Sequence, residues 1–161
     1  MLLQKMTALS SYLIAQNLFA VENFDFWMEN GVNEYCCNKQ GKGFVVGRFT
    51  YDAVFSVERF ASDASLFLAL INIWINENDS AREQDNLELP RVDVTPLDDD
   101  TVDVEVTIRF MQDVSIMPND NGPILMNGTR YGIADLQNFD ANKVGVGDTQ
   151  ERPTDLPYER D

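Results

Sequence analysis

The stretch from Asp63 to Asn78, DASLFLALINIWINEN, is apolar around most of its circumference when wound as a helix, and it restricts the fold more than any other part of the chain. Phe67, Leu70, Ile71 and Trp74 recur at steps of three and four and form one stripe, while Leu66 with Ile73, and Leu68 with Ile75, form flanking stripes. Ser62 or Asp63 is placed to accept hydrogen bonds from the first free backbone amides, so the helix starts there. Such a helix cannot rest on a sheet by one face alone, because its flanks would then stand in water. It needs cover on two sides. A second helix of the same chain supplies that cover in one arrangement, and another subunit covers one flank in the other.

Residues 2–20 carry Leu2, Met6, Leu9 and Leu13 at helical spacing, which predicts a first helix and a cover for the central one. From Asn23 to Gly43 the pattern dissolves, and Asn30-Gly31 and the late glycines read as turns. Phe24, Phe26 and Trp27 are too aromatic for a solvated loop, so they are expected to be pinned onto the core or to form a patch used by a partner. From Phe44 to Phe60 the chain alternates, with Phe49, Tyr51, Ala53, Phe55 and Val57 on one side and mostly polar residues on the other. This predicts a long half-buried strand, with Gly47 marking either a bulge where it bends or the end of a shorter preceding strand.

After a polar crossing loop, Leu89–Pro96 and Thr101–Gln112 flank the acidic turn Leu97–Asp100. Val102, Val104, Val106, Ile108 and Phe110 alternate with Asp103, Glu105, Thr107, Arg109 and Met111, which predicts a hairpin whose first strand, bounded by Pro90 and Pro96, is an edge. Beyond Asp113 prolines and glycines spread out, and Ile124–Met126 with the Asn127-Gly128 turn and Tyr131 reads as a short extended pair. The expected architecture is α+β: a small, largely antiparallel sheet of a long strand plus a hairpin, two helices packed on it, and an extended C-terminal arm. The division is a domain at 1–116 and an arm at 117–161.

Charge and residue usage remove several function classes. The 27 acidic against 12 basic residues give a net charge of -15 in a chain of 161 residues, which disfavours binding to nucleic acid or an anionic membrane. Adaptation to salt and a surface past which DNA must slide both produce that balance. Histidine is absent, so the commonest general base and zinc ligand are missing. Cys36 and Cys37 are adjacent and lack distant partners, which fits a reducing compartment. The first twenty residues are interrupted by Ser10, Ser11, Gln16 and Asn17, so they read as an amphipathic helix rather than a signal peptide, and no run is long enough for a membrane span.

Asp98, Asp99 and Asp100 offer oxygen ligands to a hard cation, but three acids at a hairpin tip are more simply a solvated turn. Asn119-Asp120-Asn121-Gly122 has the middle of a calcium loop without its ends, which would be Met117 and Gly128. No phosphate cradle or nucleophile elbow appears, so no cofactor, metal or catalytic residue is assigned. An enzyme using an Asp or Glu pair, an acidic mimic of DNA, and another small cytoplasmic binding protein are the readings that composition alone leaves open.

The segment RFTYDAVFSVERFASDASLFLALINIWINENDSAREQ followed by the hairpin LPRVDVTPLDDDTVDVEVTIRFMQDVSI resembles the tail completion protein R family of contractile-tailed phages. The resemblance runs from Arg48 to Ile116: a strand ending near Phe60 and Asp63, a helix closing on Trp74, Glu77 and Asn78, and a hairpin alternating acids with valines. ILMNGT at Ile124–Thr129 matches a late element of the family. The resemblance implies a non-enzymatic virion protein that caps the head-proximal end of a contractile, myovirus-type tail, is assembled in the host cytoplasm, and helps join tail to head at the neck. It implies a homohexameric ring that touches tube, sheath and neck or head-completion proteins, with the genome passing through unbound. The residues expected at subunit or tail contacts are Phe26, Trp27, Leu68, Trp74, Ile75, Ile124, Leu125 and Tyr131. Asp98, Asp99 and Asp100 are expected to face the lumen.

Overall fold

A computed structural model describes residues 2–134 of the protein. The helices are α1 (Gln4–Ala15) and α2 (Ala64–Asn78); the strands are β1 (Phe24–Gln40), β2 (Gly43–Phe60), β3 (Arg91–Pro96), β4 (Val102–Pro118), β5 (Ile124–Met126) and β6 (Thr129–Ile133). All strand pairs are antiparallel, in the order β1-β2-β4-β6-β5, with β3 also paired to β4. The α+β architecture expected from the sequence is the one observed.

Period-two patterning builds the core. Tyr51, Ala53, Phe55 and Val57 of β2 lie beside Val104, Val106, Ile108 and Phe110 of β4, and all of them are buried under Met6, Leu9 and Leu13 of α1 and Phe67, Ile71 and Trp74 of α2. Each large side chain so buried is worth roughly 1.5–3 kcal/mol. The α2 N-terminus is capped as its sequence suggests: the Asp63 carboxylate accepts from Ser65 N at 2.9 Å.

A buried ionic latch closes the other end of that helix. Asp79, directly after α2, receives Lys5 Nζ of α1 at 2.6 Å and Arg82 Nη1 at 2.7 Å, and Arg82 Nη2 donates to Glu88 O at 2.8 Å. Tyr51 lies beneath it, where burial, joined by the Asp79 charge and opposed by a hydrogen bond with the Met6 backbone, pushes its pKa up to about 12. The phenol therefore stays neutral.

Three expectations need correction. Residues 23–43 are not a loop: β1 occupies Phe24–Gln40 and pairs with β2 along its length. Its alternation is scrambled by register shifts between Glu29 and Val32 and between Tyr35 and Asn38, and Asn30-Gly31 sits in the first of these, with Asn30 at φ 54°. The chain reverses instead at the two-residue turn before Gly43, where Gly41 takes φ 59°. The second face of β2 is not fully wet either. Val54 is buried opposite Trp27, and Asp52 is buried between Asn30 Nδ2 at 2.9 Å and Arg109 Nη1 at 3.2 Å.

The third correction concerns 117–134. β4 runs through 116 to Pro118 and pairs with β6, while β5 and β6 form a hairpin on Asn127 and Gly128, with φ 51° and 82°. This stretch belongs to the sheet. Gly122 permits it, since a Cβ there would overlap the Tyr131 carbonyl oxygen. Phe44 packs edge-on against Tyr131 at 5.9 Å, and with buried Ile116 they form a small apolar cluster at the sheet's far end. The rest of the expected arm lies outside the described residues.

Candidate assembly surfaces

Three surfaces stand out on this frame. The first is the flank of α2 turned away from the core. Phe67, Ile71 and Trp74 are buried, and Leu68, Leu70 and Ile75 are half-buried against the core, but Leu66 and Ile73 remain 44% and 49% exposed. They are two turns apart on one stripe, so among the described residues the helix keeps one apolar flank about half exposed.

The second surface is the sheet face opposite the helices. Cross-strand register sets Asp25, Ser56, Glu105 and Asp93 in one row over four strands, with Asp103 and Glu58 nearby. Ser56, Glu58, Asp93, Thr95, Asp103 and Glu105 line a shallow open depression there. Glu105 stands directly opposite Asp93, a like-charge pair of a kind that opposes folding by roughly 0.2–1 kcal/mol. Two rows along, Arg109 is taken up by Asp52 at 3.2 Å, by Asn30 O at 2.9 Å and by Thr50 Oγ1 at 3.0 Å.

At the tip of the β3–β4 hairpin the three aspartates divide. Asp98 Oδ1 accepts from Asp100 N at 2.9 Å, Thr101 N at 2.8 Å and Thr101 Oγ1 at 2.9 Å. Hydrogen bonds from the Asp100 backbone, the Thr101 side chain and the Thr101 backbone, in that order, hold its carboxyl below the ordinary carboxylate value. Asp98 thus builds the turn, and Asp99 and Asp100 beside it are exposed to solvent.

The third surface is the outer half of β1, which carries Val32 and Tyr35, the latter 88% exposed, toward a tip holding Lys39 and Lys42. β1 is an edge strand whose irregular register twists it away from plain strand addition.

The contact residues expected from sequence fall in different settings. Trp74 is 4% exposed and meets Phe110 edge-on at 6.1 Å, so its ring serves the core. Phe26 is half-buried and stacks on Phe55, whereas Trp27 lies on the opposite face with its Nε1 donating to Glu29 Oε2 at 2.8 Å. Tyr131 is buried and Ile124 half-buried in the β5–β6 hairpin, where Leu125 is 61% exposed. Sequence reasoning found the apolar flanks of α2 without identifying the open one. It missed the acidic row, in which strand register sets Asp93 beside Glu105, and Asp25 beyond Ser56.

The chain is 30% identical over 132 residues, 77% of each protein, to an uncharacterized 19.2 kDa protein in the rep-hol intergenic region of Haemophilus phage HP1. No solved structure matches. The family model of the P2 phage tail completion protein R (GpR) matches residues 3–134, which is the whole described fold. The chain belongs to the P2 phage tail completion protein R family, and its setting is the phage tail.

Proposed function

We propose that this protein is the terminator subunit that caps the head-proximal end of a contractile phage tail, stops growth of tube or sheath, and helps join tail to head. In this reading copies associate as a closed ring, six-fold like the tube, through heterologous contacts that use the open Leu66 and Ile73 flank of α2 and the neighbouring Leu68 and Ile75. The acidic sheet face, continued by Asp99 and Asp100 at the hairpin tip, turns toward the lumen, where it keeps the passing genome from adhering. Tube, sheath and neck proteins are the partners along the ring's two rims.

The observation that carries the reading is the two-sidedness of one sheet. Its helix-covered face is a dry core, and its other face keeps acids side by side, Asp93 against Glu105, at a cost to stability. A surface role for the negative field explains that arrangement, and the uncovered α2 flank supplies the apolar contact needed to bring such charged copies together.

Electron microscopy of particles made without this protein tests it. Overlong or headless tails are expected. Normal-length tails joined to filled heads overturn the reading. Leu66→Asp with Ile73→Asp separates ring formation from folding: the variant is expected to keep its melting temperature yet fail to restore normal tails.

A further inference from the structure

The basic residues of this acidic chain are not spread evenly. Residues 35–51, YCCNKQGKGFVVGRFTY, hold Lys39, Lys42 and Arg48 and no acid, in a chain of net charge -15. They form the outer half of the β1–β2 hairpin. Arg48 pairs with Asp113 at 3.4 Å, which leaves Lys39 and Lys42 without an acidic partner among the described residues. Lys39 Nζ stands over the Phe44 ring at 5.2 Å instead.

Beside this basic tip the helix side of the sheet carries an open groove of about 480 Å³, lined by Leu2, Asn33, Val46, Gly47, Phe49 and Val114. Register accounts for the grouping. Phe49 shares a side with buried Tyr51, Asn33 stands opposite Phe49, and Val114 stands opposite Gly47. Gly47 also faces Tyr35, which is 88% exposed, and Phe44 faces Lys39. The groove is therefore apolar along its length and basic at its outer end.

We propose that this groove receives the α2 flank of a second copy of the chain. The inference rests on the reading above, in which copies meet through that flank, and it names the surface on the other side of the contact. Leu66, Ile73 and Glu77 follow one another along one stripe of α2, so the half-exposed apolar flank ends on an exposed carboxylate. Leu66 to Glu77 covers about 16 Å of helix. Phe49 to Phe44, the cross-strand partner of Lys39, covers about 16 Å of strand. With Leu66 over Phe49, Ile73 lies over Gly47 and Val46, and Glu77 reaches Lys39. Flank and groove are different patches of one chain, so the contact runs head to tail, as a ring requires. Copies that repel each other through their net charge meet where the bases gather. The acidic face, on the other side of the sheet, stays clear of the contact.

A charge exchange in the full chain tests this, in cells whose particles otherwise lack the protein. Lys39→Glu and Glu77→Lys are each expected to lower the yield of normal-length tails by roughly tenfold or more, and the two together to restore it. Single variants with unchanged yield, or a double variant no better than the singles, overturn the contact. The terminator reading then still stands, provided that particles without the protein have overlong or headless tails. Cross-linking gives a readout independent of tail length, using the full chain with Cys36 and Cys37 changed to serine. Lys39→Cys with Glu77→Cys is expected to form disulfides between chains, and Lys39→Cys with Glu58→Cys, on the acidic face, to form far fewer. Links no more frequent in the first pair than in the second overturn the proposal.

Discussion

The two faces of the sheet are made by the same strands, yet they obey different rules. Toward the helices, β2 and β4 present Tyr51, Phe55, Ile108 and Phe110 in a dry, close-packed layer. On the other face, successive residues of the same strands present Ser56, Glu105, Asp103 and the Asp52–Arg109 pair. The first face is what makes the chain fold. The second carries a like-charge pair, Asp93 against Glu105, that opposes folding slightly.

The largest effects should come from the packed face. Phe110→Ala should destabilise the fold by roughly 3–5 kcal/mol, whereas Thr107→Ala, on the acidic side of the same strand, should stay within about 0.5 kcal/mol, as read from urea unfolding midpoints. Equal losses at the two positions would break the distinction. Asp79→Asn should cost about 3–5 kcal/mol, since Lys5 and Arg82 would keep their charges in a buried site without the carboxylate that pairs them.

Changes on the acidic face should go the other way. Asp93→Asn with Glu105→Gln should raise stability by roughly 0.2–1 kcal/mol, and added salt should narrow the gap to the unaltered protein. A loss of stability there would mean that the row is held by contacts and not merely tolerated. The smallest effect belongs to Asp98. Its folded-state pKa is lowered, so its contribution to the turn is fully present above the ordinary carboxylate value of 3.8 and is lost as pH falls through the lowered one. Chemical shifts of the Asp100 and Thr101 amides should report that loss, and Asp98→Asn should abolish its pH dependence.

Much of the fold was legible because its long elements keep one period. α2 announces itself by stripes, and β4 by valines alternating with acids, with Asp63 and the Leu97–Asp100 turn marking their limits. β1 was illegible for a physical reason: its outer half is exposed on both sides and its register slips twice, so neither burial nor alternation leaves a trace in the sequence. Trp74 shows the limit of reading surfaces from composition. A large aromatic at a helix end suits an interface equally well, and it is the position of Phe110 that turns it inward. The open stripe at Leu66 and Ile73 follows only once the sheet and α1 have taken their sides.

The lengths of the elements differ in a way that matters mechanically. The 17 residues of β1 reach about 55 Å, while the 15 residues of α2 reach about 22 Å, so the sheet extends well past the helices that brace it. The overhang works as a cantilever rooted in the core and stiffened near its free end by the Phe44–Tyr131 cluster. A push delivered at Lys39–Lys42 would thus reach the root as a bending moment.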